Sequence, residues 1–196
     1  MTRLQIRDRI VASLREGIDV RQRIVDDGLD SITRAGELAA DCLQGGGKLL
    51  LFGNGGSAAD AQHIAAEFVC RFSRDRDPLP AIALTTDTSA LTAIANDYGF
   101  ERVFARQVEA LCQPQDVVIA ISTSGRSANV LAGIAAAQAK GARTIGLTGG
   151  DGGSMAAAVD IPIIIPTDVT ARIQECHITI GHLICEVAES LLQSAE

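Results

Sequence analysis

Five short apolar runs, at residues 48–52, 81–85, 116–121, 143–147 and 161–165, alternate with helical stretches near 57–72, 88–111, 127–140, 153–158 and 169–193. Each run is too short for a helix and too uniformly apolar for a half-exposed strand. Each reads as a strand buried on both faces. Strands joined through helices pair in parallel, because a parallel pair needs a long crossover. The chain is therefore expected to be α/β: a three-layer αβα sandwich around a five-stranded parallel sheet. No linker, low-complexity tract or repeat divides it, so one domain over residues 1–196 is expected.

Ahead of the first strand, residues 3–43 read as helical. Ile6, Ile10, Leu14 and Ile18 form one stripe, and Ile24, Val25, Leu29 and Ile32 resume it past Gly28, a candidate bend. One small sheet cannot cover so long an apolar face. Residues 1–44 are thus expected as an N-terminal helical extension that packs partly against another subunit, with an ordinary capping helix pair as the alternative. A glycine-rich turn at 44–47 leads into the core at 45–196.

Composition narrows the partners. A hydrophobic content of 47% with 21% charged residues suits a soluble globular chain. No window suits a membrane span, and the charged N-terminus lacks a signal-peptide core, so no membrane association and a cytoplasmic location are expected. A net charge of −7, aromatics at 3% and no Trp argue against a nucleic-acid partner. The five cysteines, at 42, 70, 112, 176 and 185, contain no C-x-x-C pair and read as reduced core residues.

In an open parallel sheet, ligands bind beyond the carboxyl ends of the strands. After the first strand comes Gly53-Asn54-Gly55-Gly56-Ser57, where three glycines clear the backbone for an anion at a helix N-terminus. After the third comes Ser122-Thr123-Ser124-Gly125-Arg126-Ser127, with four hydroxyls at another helix start. Capping alone needs one hydroxyl, so the second loop reads as a phosphate site. Gly53-x-Gly55-x-x-Ala58 also fits a relaxed dinucleotide fingerprint, but no acidic residue closes the second strand as that reading requires.

Reactive groups gather on two helices. Asp60, His63 and Glu67 share one face beside the first loop, and His63 with Glu67 is a spacing that suits a metal such as zinc. In the last helix, Gln174 and His182 lie about 80° apart around the axis, close enough to border one cleft. His177 falls outside that arc and is expected at the surface or an interface. Cys176 and Cys185 read as packing residues.

The pairing of Gly-Asn-Gly-Gly-Ser at 53–57 with Ser-Thr-Ser-Gly-x-Ser at 122–127 resembles the sugar isomerase (SIS) domain. Asp60-x-x-His63-x-x-x-Glu67, Ala95-Asn96-Asp97 and Arg172-Ile173-Gln174-Glu175-x-His177 with His182 resemble the phosphoheptose isomerases within it, over residues 44–190. The resemblance implies a flavodoxin-like SIS fold and a homotetramer with sites at subunit interfaces. It implies one zinc ion per subunit, held by His63, Glu67, Gln174 and His182. It places the substrate phosphate among Ser57, Ser122, Thr123, Ser124 and Ser127. The sugar would meet Asn54, Gly55, Gly56, Asn96 and Asp97, with Glu67 and Gln174 also touching substrate.

The implied reaction converts the phosphosugar sedoheptulose 7-phosphate to D-glycero-D-manno-heptose 7-phosphate, an early step toward bacterial surface heptose. Moving hydrogen between C1 and C2 through an enediol needs a base on carbon and a proton carrier between the oxygens. Glu67 is assigned as the base, His182 as its acid/base partner and Asp60 as a second base or relay. Two readings compete. One is a non-catalytic relative that binds the replication initiator protein, which would have no reason to keep Asp60, His63, Glu67, Gln174 and His182 together. The other is a sugar-phosphate sensor, which would usually carry a DNA-binding domain.

Overall fold

A computed structural model describes residues 1–193. Two helices come first: α1 (Arg3–Asp27) and α2 (Leu29–Gln44), hinged at Gly28 as the sequence suggests. A reciprocal capping box opens α1, in which the Thr2 hydroxyl accepts from the Gln5 amide and the Gln5 side chain accepts from the Thr2 amide. Next come β1 (Leu49–Gly53), α3 (Gly56–Val69), β2 (Ala81–Ala83), α4 (Thr88–Tyr98), α5 (Val103–Leu111), β3 (Val117–Ile121), α6 (Ala128–Ala139), β4 (Arg143–Gly149), β5 (Ile161–Ile165) and α7 (Thr170–Gln193).

The five strands form one parallel sheet in the order β2-β1-β3-β4-β5. Alternate residues along each strand face opposite layers. Leu49 and Leu51 of β1 join Val117, Ile119 and Ile121 of β3 in a core against α2, α3 and α7. Leu50 and Phe52 join Val118 and Ala120 in a second core against α5 and α6, with Leu91 and Ile94 of α4 at its margin. This is the three-layer sandwich the apolar runs require. Asp116, 1% exposed, fixes where the central pair begins: it accepts from the Lys48 amide at 2.9 Å and the Gln113 amide at 2.8 Å, and pairs with the Lys48 ammonium.

The strand order changes direction between β1 and β3, the switch point where ligands of such sheets bind. The two glycine- and hydroxyl-rich loops leave the sheet at these neighbouring strand ends.

Several expectations change. The helix expected over 88–111 is two helices, parted at Gly99, whose φ of 87° ends α4, and by a 3-10 turn at Phe100–Arg102. Edge strand β2 stops at Ala83, because the Thr85 and Thr86 hydroxyls turn back to the Ala58 and Ala83 carbonyls. α3 ends at Val69 instead of 72, and only a 3-10 turn at Gly153–Met155 stands where a helix over 153–158 was expected. Cys42, Cys112, Cys176 and Cys185 are buried free thiols, whereas Cys70, at the end of α3, is exposed. Along α1, Leu4, Ile10, Leu14, Ile18 and Val25 are exposed, and Gly17 and Val20 are its buried residues. No helix among the described residues is long and apolar enough to cross a membrane.

Candidate active site

The first loop swings from β1 into α3 through Gly55, whose φ of 57° and ψ of −119° suit glycine alone. Ser57, in the first turn of α3, is 3% exposed. In the second loop, Ser127 stands at the N-cap of α6, yet its hydroxyl caps nothing and faces the Ser122 hydroxyl at 3.2 Å. The Ser124 hydroxyl accepts from the Arg126 amide at 3.3 Å. A cavity of about 190 Å³ lies against Thr123, Ser124, Arg126, Gly149, Gly150 and Asp168.

One pair of amides joins the loops. Asn54 donates to Asn129 Oδ1 at 2.9 Å, and Asn129 donates back to Asn54 Oδ1 at 2.8 Å. Asn129 belongs to the first turn of α6 and is 4% exposed. The amide of Asn54 is thus occupied within the chain and braces the first loop against α6.

Beside the loops, α3 and α7 bring three side chains to one point. His63 Nε2 is 2.8 Å from His182 Nε2 and 3.2 Å from Glu67 Oε1. One ligand atom from each of the three residues lies within 4.8 Å of the others. Two imidazole nitrogens and a carboxylate oxygen are a donor set that fits zinc. The Phe72 ring lies 5.5 Å from that of His182. Gln174 comes from the same helix as His182, and its amide rests on Gly56, where any Cβ would overlap it. That contact places Gln174 at the first loop.

Asp60 lies one turn before His63, with Oδ2 buried and unpartnered. Burial holds its carboxyl above the usual carboxylate range, against the opposing charge of His63. Asn96 and Asp97 lie near the end of α4, exposed, and their hydrogen bond is to each other at 2.7 Å. Within a single chain no hydrogen bond joins them to the His63 cluster.

His177 is not at the surface. It is fully buried, with Nε2 3.2 Å from the Thr148 carbonyl. A carbonyl only accepts, so Nε2 carries the hydrogen and Nδ1 is left as a buried acceptor without a partner. Burial pushes its pKa down to about 4, against the opposing effect of the Thr148 bond. It is therefore neutral at neutral pH.

Known proteins resemble this chain in sequence and fold. The SIS domain family matches residues 14–149. Phosphoheptose isomerase from Roseiflexus sp. is 56% identical over 93% of this chain and 93% of its own. The phosphoheptose isomerase of Aquifex aeolicus is 53% identical over 94% of this chain and 97% of its own. Among solved structures, phosphoheptose isomerase from Neisseria gonorrhoeae superposes with a TM-score of 0.90 at 46% identity, over 94% of this chain and 99% of that one. This chain belongs to the phosphoheptose isomerase family of SIS-domain proteins.

The family likeness reaches further toward the N-terminus than the motifs from residue 44 onward suggest, since it takes in α2 and much of α1. Three features of this phosphoheptose isomerase relative escape the sequence motifs: Asn129 as the partner of Asn54, Phe72 against His182, and Arg76 on the Glu67 and Phe68 carbonyls of α3.

Proposed function

We propose that the chain is an aldose–ketose isomerase that interconverts sedoheptulose 7-phosphate and D-glycero-D-manno-heptose 7-phosphate through an enediol, for bacterial heptose synthesis. The observation that carries this is the meeting of His63, Glu67 and His182 at the strand ends that bear the two anion loops. Ser57, Ser122, Thr123, Ser124 and Ser127 hold the phosphate, and Asn54, Gly55, Gly56, Asn96 and Asp97 border the sugar. Binding energy from the phosphate end then orients carbons that react at the other.

Glu67 removes the C1 proton and returns it at C2. His182 carries the hydroxyl proton between O1 and O2, and Asp60, whose carboxyl is kept easier to protonate by burial, relays protons beside them. His63, Glu67, Gln174 and His182 would hold one zinc ion per subunit, which supplies Lewis-acid polarisation of the substrate oxygens when bound. Residues 1–44 form an oligomerisation arm on a single SIS domain with its core at 45–196. What supports a homotetramer is the uncovered apolar stripe of α1.

The test is incubation with sedoheptulose 7-phosphate, with and without chelator, following the aldose product. Turnover that chelator abolishes and zinc restores is the expected result. Absence of both product and C1–H exchange in the zinc-supplied chain would overturn the reading.

A further inference from the structure

The last carbonyls of α3 have no partner within the helix. One side chain takes two of them. Arg76 donates from Nη2 to the Glu67 carbonyl at 3.0 Å and from Nη1 to the Phe68 carbonyl at 2.9 Å. The guanidinium sits on the negative end of the helix, where the dipole favours a cation. Its Nε donates to Glu189 Oε1 at 3.0 Å.

Glu189 is 6% exposed and lies on α7, about two turns past His182 on the same face. Its second oxygen accepts from the Ser73 hydroxyl at 2.6 Å and the Ser73 amide at 3.3 Å. Burial would raise this carboxyl, but the bonds from Ser73 and Arg76 outweigh it and hold the group below the usual range. The pair is charged and hydrogen-bonded, with Glu189 buried and Arg76 partly so. Such a pair returns little net stability over apolar packing, because desolvation offsets its attraction. It does fix geometry: one planar fork ties the backbone of Glu67 to the helix that carries His182.

We infer that Arg76 is a positioning residue which, anchored on Glu189, holds the last turn of α3 so that the Glu67 carboxylate faces His63 and His182. This inference rests on the zinc-centre reading above. Arg76→Lys keeps a cation beside Glu189 but cannot reach both carbonyls and the carboxylate as a planar fork does.

The full-length variant is titrated with zinc against a chelating dye, its kcat and KM are measured, and its Tm is recorded. Zinc affinity and kcat are each expected to fall about tenfold. KM should stay within about twofold, since the phosphate loops are untouched. If Arg76→Lys does not fold, Arg76→Met combined with Glu189→Leu removes both charges, leaves no unpaired carboxylate and carries the same expectation. A folded variant with wild-type zinc affinity and kcat, or one altered in KM alone, overturns the positioning role while leaving the zinc centre standing. A wild-type chain that binds no zinc overturns both.

Discussion

Ile64 seats its side chain on the bare face of Gly181, so closely that any Cβ there would overlap it. Their sequence neighbours, His63 and His182, meet at 2.8 Å as a result. Gly181→Ala must push α3 and α7 apart. Overpacking of this kind costs about 1–3 kcal/mol. Lower thermal stability and zinc affinity reduced about tenfold are expected together, and adding Ile64→Ala, which opens the space, should restore part of the affinity. Calorimetry with zinc titration checks both.

Gly56→Ala asks a different question of the same site. Here the added methyl meets only the flexible end of Gln174, so stability should change by less than about 0.5 kcal/mol. The displaced amide should nevertheless lower zinc affinity and kcat. A variant with wild-type values of both would take Gln174 out of the centre.

Asn129→Ala leaves the Asn54 amide without its reciprocal partner. Losing buried hydrogen bonds of this type costs about 1–3 kcal/mol. Because the pair joins the two anion loops, KM for the phosphosugar should rise more than kcat falls. Steady-state kinetics beside chemical denaturation separates the two effects.

His177 makes stability depend on pH. Its ordinary pKa of 6.5 is depressed to about 4 by burial, so the folded chain resists a proton that the unfolded chain accepts. The contribution is complete above pH 6.5 and is lost progressively as pH falls toward 4. At 1.36 kcal/mol per unit the full loss is about 3 kcal/mol. Urea unfolding of the wild type at several pH values should show this slope, and His177→Gln should flatten it whatever its stability at neutral pH.

Leu14 and Ile18, 62% and 64% exposed on α1, are expected to be covered in the proposed homotetramer. Replacing both by Glu should split it into smaller species without unfolding the sheet. Analytical ultracentrifugation and circular dichroism read the two outcomes separately.

The sheet was legible because its strands are buried on both faces, which forces runs such as Val117–Ile121 to be wholly apolar. The anion loops were legible because glycine and hydroxyl residues crowd where strands end. The phase of a helix buried on a wide arc was not. α7 packs on α2, α3 and β4, so His177 could be buried outside the arc that holds Gln174 and His182. Nor were pairings between distant residues: Asn54 with Asn129 spans 75 positions and Arg76 with Glu189 spans 113, and no local pattern announces either.

Half of the candidate centre rides on α7, the last helix of the described chain. The same helix closes one face of the sheet through Ile173, Ile180 and Ile184. A chain clipped ahead of α7 would therefore lose a wall of its core together with Gln174 and His182, so truncation cannot yield a well-packed protein that merely lacks these two side chains.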